Sequence, residues 1–189
     1  MTEVLSQDEI DRARLGEGLR PGFLLGAATS SHQVEGGNTN DWTLWEPMFF
    51  SDGRPHIADG SVSGRAADSW NLFDEDLARL VELGANAYRL SVEWSRLEPT
   101  RGSFDDAVAS RYLDMVTQLR AAGIEPMVTL YHFTLPLWVA DQGGWEIDAT
   151  LGDFQAFVGR VATRLGGQVD LWCTVNEPNV LALEGYLTG

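Results

Sequence analysis

The chain switches hydrophobic period repeatedly and always in the same order, helix then strand, and that alternation constrains its fold more than any other feature. Trp70, Phe73, Leu77, Leu80, Val81 and Leu83 recur at helical spacing and stop at Gly84, which predicts a helix over about 70–83. ANAYRLSVEWS (85–95) follows with Tyr88, Leu90, Val92 and Trp94 at every second position, the period of a strand. SFDDAVASRYLDMVTQLRAAG (103–123) then reads as a helix with a Ser103 cap and a stop at Gly123, and IEPMVTLYHF (124–133) as a strand. A helix over about 148–165 leads to the strand QVDLWCTV (168–175), and PGFLLGAAT (21–29) supplies an earlier strand before the long loop 51–68. Four strands separated by helical segments are the pattern of parallel βα units.

Composition narrows the partners. The 28 acidic residues face 13 basic ones, all of them Arg, and the net charge of −15 repels phosphate backbones and anionic lipid. Nucleic acid and membrane surfaces are therefore not expected partners. The only cysteine, Cys173, lies between Trp172 and Thr174 and is expected to be a packed thiol. Residues 1–20 form a polar leader with neither the basic start nor the apolar core of a signal peptide, so a cytoplasmic protein is expected. No His, Cys or carboxylate spacing suits a metal, and the acidic run Asp74, Glu75, Asp76 reads as a solvated helix start.

The polar candidates fall at the C-terminal ends of the predicted strands: Gln33 after the first, His132 after the third, Asn176 and Glu177 after the fourth. Parallel strands that present polar groups at that end are characteristic of a (β/α)8 barrel. An open doubly wound sheet is the competing fold, but neither GxGxxG nor GxxxxGK[ST] occurs. The expected fold class is thus α/β, the first half of a (β/α)8 TIM barrel with about four parallel strands.

FLLGAATSSHQVEG, NAYRLSVEWSR, PMVTLYHFTLP, GGWE and TVNEPN stand in an order and spacing that resemble glycoside hydrolase family 1, the β-glucosidase and β-galactosidase family. The resemblance runs from about residue 21 to the last residue. It implies a barrel that cleaves β-linked sugars with retention and needs no cofactor. It makes Glu177 the general acid/base, because a glycosidic oxygen leaves only when protonated by a carboxylic acid of raised pKa. Read from its own surroundings, Glu177 could equally cap the helix that Pro178 starts.

By the same resemblance Asn176 holds the sugar 2-hydroxyl, Gln33 and His132 bind hydroxyls at the cleavage site, and Arg89 faces the nucleophile. Phe133 stands where many members have Trp, so an aromatic wall remains without its indole donor. His32 replaces an aromatic of many members, and His56 reads as a solvated loop residue. Arg89 in a barrel strand is costly unless it meets an anion, with a structural ion pair as the simpler reading. Trp70, Trp94, Trp138 and Trp145 read as core rather than as sugar platforms.

The family's nucleophile belongs to a TENG-like motif that the 189 residues do not contain, and Glu35, Glu46 and Glu93 match no such motif. Inactivity of these residues alone is expected. A half barrel would also expose sheet edges and an apolar face, so a complementary C-terminal half or a second copy is an expected partner. The alternative is a carbohydrate-binding or self-associating module without catalysis.

Overall fold

The structure, a computed structural model, describes residues 21–188. The polar leader lies outside them. The element order is β1 (Gly26–Ala28), α1 (Ser31–Val34), α2 (Asp41–Trp45), α3 (Ser69–Glu82), β2 (Ala87–Ser91), α4 (Trp94–Leu97), α5 (Asp106–Ala121) and β3 (Glu125–Tyr131). Then come α6 (Leu137–Asp141), a 3-10 turn (Gly144–Glu146), α7 (Asp148–Leu165), β4 (Leu171–Val175), α8 (Pro178–Ala182) and a π-helical turn (Leu183–Leu187).

The four strands form one sheet in the order β1-β2-β3-β4, and every pairing is parallel. Parallel neighbours need a crossover, and α3, α5 and α7 supply the three. The register places Leu90 beside Val128 and Trp172 on one face, and Ser91 beside Thr129 and Cys173 on the other. The first face is apolar and meets the helices: Tyr88, Leu90, Val92, Val128 and Leu130 are buried with Tyr112, Val116, Leu119, Phe157 and Val161. The second face carries Arg89 beside Met127, and the helices do not cover it.

An aromatic cluster closes the core near the strand ends. Trp94 is 1% exposed and stacks on Phe157 at 5.0 Å, with Trp138 edge-on at 5.9 Å and Phe154 at 5.5 Å. Burying one such side chain contributes on the order of 2–3 kcal/mol. Trp70 and Trp145 also pack on the core, so all four expected structural tryptophans are structural.

The element boundaries differ from the sequence reading where polar side chains redirect the backbone. β2 spans 87–91 rather than 85–95, because the chain turns into α4 at Trp94 to bury that indole. The cap of α5 is Asp105, whose carboxylate accepts from the N–H groups of Ala107 and Val108, and Ser103 instead closes a bridge with Thr100. Gly84 and Gly123 end α3 and α5 with φ of 69° and 75°, as their positions predict. Glu75 and Asp76 pair with Arg79 on the exposed face of α3.

Acids collect under the strand ends. Glu35 is 5% exposed, accepts from the Tyr112 hydroxyl at 2.7 Å and pairs with Arg96 at 3.2 Å. Arg96 also lies 4.2 Å over the Trp70 ring. Desolvation outweighs these partners and pushes the Glu35 carboxyl up to about 8, from 4.5. Between those two values the folded chain holds more protons than the unfolded one, so this group makes stability fall as pH rises through the window. Glu35→Gln removes that titration. Its melting temperature relative to the parent is expected to improve from about pH 5 to about pH 8, and a difference independent of pH would contradict the assignment.

Candidate active site

Three strand ends are tied together by one side chain. Arg89 rises from β2 on the uncovered face, its Nε donates to the Thr129 hydroxyl of β3 at 2.8 Å, and its Nη2 donates to Asn176 Oδ1 beyond β4 at 2.7 Å. Nη2 also lies 3.5 Å from Cys173 Sγ. Thr129 is fully buried and Asn176 nearly so. With its oxygen occupied by Arg89, Asn176 turns its amide Nδ2 to donate to Glu177 Oε2 at 3.2 Å. Among the described residues the partners of Arg89 are neutral oxygen and sulfur acceptors, and no carboxylate pairs with it. Neutral acceptors suffice because the guanidinium is only partly buried and spreads its charge over several donors.

Cys173 is half-buried rather than packed, since β4 is a sheet edge among the described strands.

Two non-glycine residues at the strand ends hold left-handed backbone. Phe133, after β3, has φ 71°, and Glu177, after β4, has φ 44°. Such conformations cost on the order of 1–3 kcal/mol and persist where the surroundings over-determine them. Around Phe133 the constraints are visible: the Tyr131 hydroxyl donates to its carbonyl at 3.0 Å, and the adjacent Thr134 hydroxyl is anchored on Glu93. Glu177 precedes Pro178 at the start of α8, yet its side chain makes no capping hydrogen bond. Its carboxylate is exposed and committed only to Asn176 among the described residues.

His132 lies between these groups. Its Nδ1 is buried without a hydrogen-bond partner among the described residues, and its ring meets Phe133 edge-on at 5.4 Å. Desolvation first, then the positive charge of Arg89, lower its pKa to about 4, while Glu177 works in the opposite direction. The imidazole is therefore neutral at neutral pH, able to donate and accept. Gln33 sits in α1, exposed, with its Oε1 accepting from the Ser30 hydroxyl at 2.7 Å, which leaves its Nε2 donors for a ligand. Arg89, Asn176 and Glu177 thus form one hydrogen-bonded network, His132 and Phe133 meet by their rings, and Gln33 sits in α1 after β1.

A cleft of about 650 Å³ adjoins Phe133 and is lined by Asp41, Trp42, Trp45, Tyr131, Leu135 and Tyr186, among others. The sequence reading missed it, although the Asn40-x-x-Thr43 capping box that sets α2 and its two tryptophans was legible in NDWT. Asp41 at its edge accepts from the Leu135 N–H at 2.8 Å, and burial raises its pKa from 3.8 to about 7. His56 is corrected from solvated to half-buried: its ring lies 4.4 Å from both Trp45 and Phe50, and its Nδ1 lies 2.9 Å from the Trp45 carbonyl. Among the described residues no group of side chains could hold a metal, and no helix is long and apolar enough to cross a membrane.

The sequence profile of glycosyl hydrolase family 1 matches residues 16–189. The chain belongs to glycosyl hydrolase family 1. The family match begins inside the segment taken as a polar leader. Among family 1 relatives, "Beta-glucosidase 11" of Arabidopsis thaliana is 37% identical over 174 residues, 89% of this chain and 33% of that protein. "Coniferin beta-glucosidase" of Pinus contorta is 35% identical over 187 residues, 96% of this chain and 36% of that protein. Solved family 1 structures agree: a β-glycosidase from Pyrococcus horikoshii is 39% identical with TM-score 0.80, covering 90% of this chain and 38% of that one. The β-glucosidase from Exiguobacterium antarcticum B7 is 34% identical with TM-score 0.84, covering 90% of this chain and 39% of that one. The chain spans about a third of the length of the curated relatives it matches. Its four parallel strands correspond to part of the family's (β/α)8 barrel.

The electrostatics of His132 can be read by NMR titration. Its midpoint is expected at about 4, to rise in Arg89→Met and to fall further in Glu177→Gln. A midpoint near the ordinary 6.5 that neither substitution moves would show that the three groups are not neighbours.

Proposed function

We propose that the chain supplies the acid/base half of a retaining β-glycosidase. The observation that carries this reading is the Glu177 carboxylate: it stands at a strand end, is not spent on capping its helix, and is held by an Asn176 whose orientation Arg89 fixes. In this reading Glu177 protonates the glycosidic oxygen and later deprotonates water. Asn176, neutral His132 and Gln33 receive the hydroxyls of the bound sugar, and Phe133 forms an apolar wall beside it. The aromatic cleft adjoining Phe133 suits an apolar or planar leaving group, which would stack there as the sugar bond breaks.

Retention needs a second carboxylate roughly 5 Å from the first. Glu93 and Glu35 are engaged in buried hydrogen bonds, and the 189 residues contain no TENG-like segment. The nucleophile therefore comes from strands outside these residues, on which Arg89 would find its anion. The exposed Phe23, Leu24 and Leu25 beside β1 and Val180, Leu183 and Leu187 after β4 offer apolar surface for such strands to cover.

A chromogenic aryl β-glucoside tests the proposal. The 189 residues alone are expected to give no turnover above background. Joined with the remaining strands of a family 1 barrel, they are expected to hydrolyse it, with Glu177→Gln lowering kcat by roughly 10²- to 10⁴-fold, the range for a general acid/base. Saturable sugar binding without turnover in the joined protein would favour a binding module, and robust hydrolysis by the 189 residues alone would overturn the missing-nucleophile reading.

A further inference from the structure

We propose that Glu93, a carboxylate outside the catalytic scheme, is the positioning residue that fixes the sugar-contacting segments of β1 and β3 relative to each other. It is fully buried at the end of β2, yet no arginine or histidine pairs with it among the described residues. Its two oxygens instead gather hydroxyl and amide donors from three parts of the chain. Oε2 accepts from Ser31 Oγ at 2.9 Å, Oε1 accepts from Ser95 Oγ at 2.7 Å and from Asn40 Nδ2 at 3.4 Å, and Thr134 Oγ1 lies 3.1 Å and 3.0 Å from the two. The Ser91 hydroxyl doubles the link, accepting from the Ser31 N–H at 2.6 Å.

Each donor neighbours a group that the proposed function places on the substrate. Ser31 opens the short helix that carries Gln33, and four residues with no capping hydrogen bond hold little helical stability of their own. Thr134 follows Phe133, whose left-handed backbone needs external constraint. Asn40 caps the helix that carries Trp42 and Trp45 into the cleft. It also bonds His32 Nδ1 at 3.1 Å, and His32 Nε2 lies 2.9 Å from Glu46, which accepts from the N–H and hydroxyl of Ser63. Since the Asn40 amide can only donate to Nδ1, His32 carries its proton on Nε2 and donates it to Glu46. Glu93 thereby links α1, α2 and the β3 end, and through Asn40, His32 and Glu46 the chain of bonds reaches the long loop.

A buried carboxylate serving only stability would be better replaced by apolar packing. Several hydroxyl donors converging on one acceptor instead define a single arrangement of the segments that bear them. The inference rests on the glycosidase reading for its consequence, but not for its geometry.

The test uses the 189-residue chain and two variants, Glu93→Gln and Thr134→Val, the second in case the first fails to fold. Both are expected to keep cooperative melting and unchanged methyl resonances at Leu119 and Val161, while the amide resonances of Phe133 and the side-chain NH₂ of Gln33 shift in Glu93→Gln, and those of Phe133 alone in Thr134→Val. Castanospermine is then titrated in as the sugar mimic. Where the parent binds it, affinity is expected to fall roughly tenfold in Glu93→Gln, the effect of misplacing one or two hydrogen bonds. Folded variants with lowered melting temperature but unshifted Phe133 and Gln33 signals would overturn the proposal, leaving Glu93 a purely structural group. Shifted signals in the variants, together with a parent that ignores castanospermine, would support the positioning role and count against sugar binding by these residues.

Discussion

The site depends on a cation held by neutral acceptors. Arg89 sits on the sheet face that the helices leave uncovered, and it spans β2, β3 and the end of β4 through Thr129 and Asn176. A guanidinium in such a place is costly unless its donors are met, and its planar fork meets acceptors on two neighbouring strands at once. The consequences run outward. Asn176 presents its amide to Glu177, His132 stays neutral, and the strand ends keep one spacing. The parallel register is what makes this reach feasible, because it sets Thr129 and Cys173 side by side in one row of the face and Arg89 in the row next to it on that face.

Around that cation the chain accepts strain and buried polarity that a folding unit selected only for stability would avoid. Phe133 and Glu177 occupy left-handed backbone, and Glu35, Asp41 and Glu93 lie in or beside the core. The compensation is the aromatic and aliphatic core on the other face, centred on Trp94, Tyr112 and Phe157. The division follows the sheet: one face carries the apolar core, and the strand ends carry the polar and left-handed residues.

Much of this was legible in the sequence, for physical reasons. The helices over 69–82, 106–121 and 148–165 carry unbroken apolar periods with glycine or polar stops, so their placement follows from local spacing. β2 was read four residues too far because alternation continues through Trp94, whereas burial of that indole turns the chain into α4. The candidate site residues were read from motif and chain position; the structure joins Arg89, Asn176 and Glu177 by hydrogen bonds and sets the His132 ring against Phe133. The partners of Arg89 were not legible, since residues 40 and 87 positions away meet only through the register of the sheet. Glu93 was hidden for the same reason: its donors come from Ser31, Asn40 and Thr134, and no local pattern joins them.

The Arg89–Asn176 link organises the site, and a double-mutant cycle in urea measures it directly. Arg89→Met, Asn176→Ala and the double variant are expected to show a coupling of about 1–3 kcal/mol, as for partners in one hydrogen-bond network. Additivity within about 0.5 kcal/mol would mean that the two side chains do not act together, and the organisation of Glu177 by Arg89 would have to be abandoned.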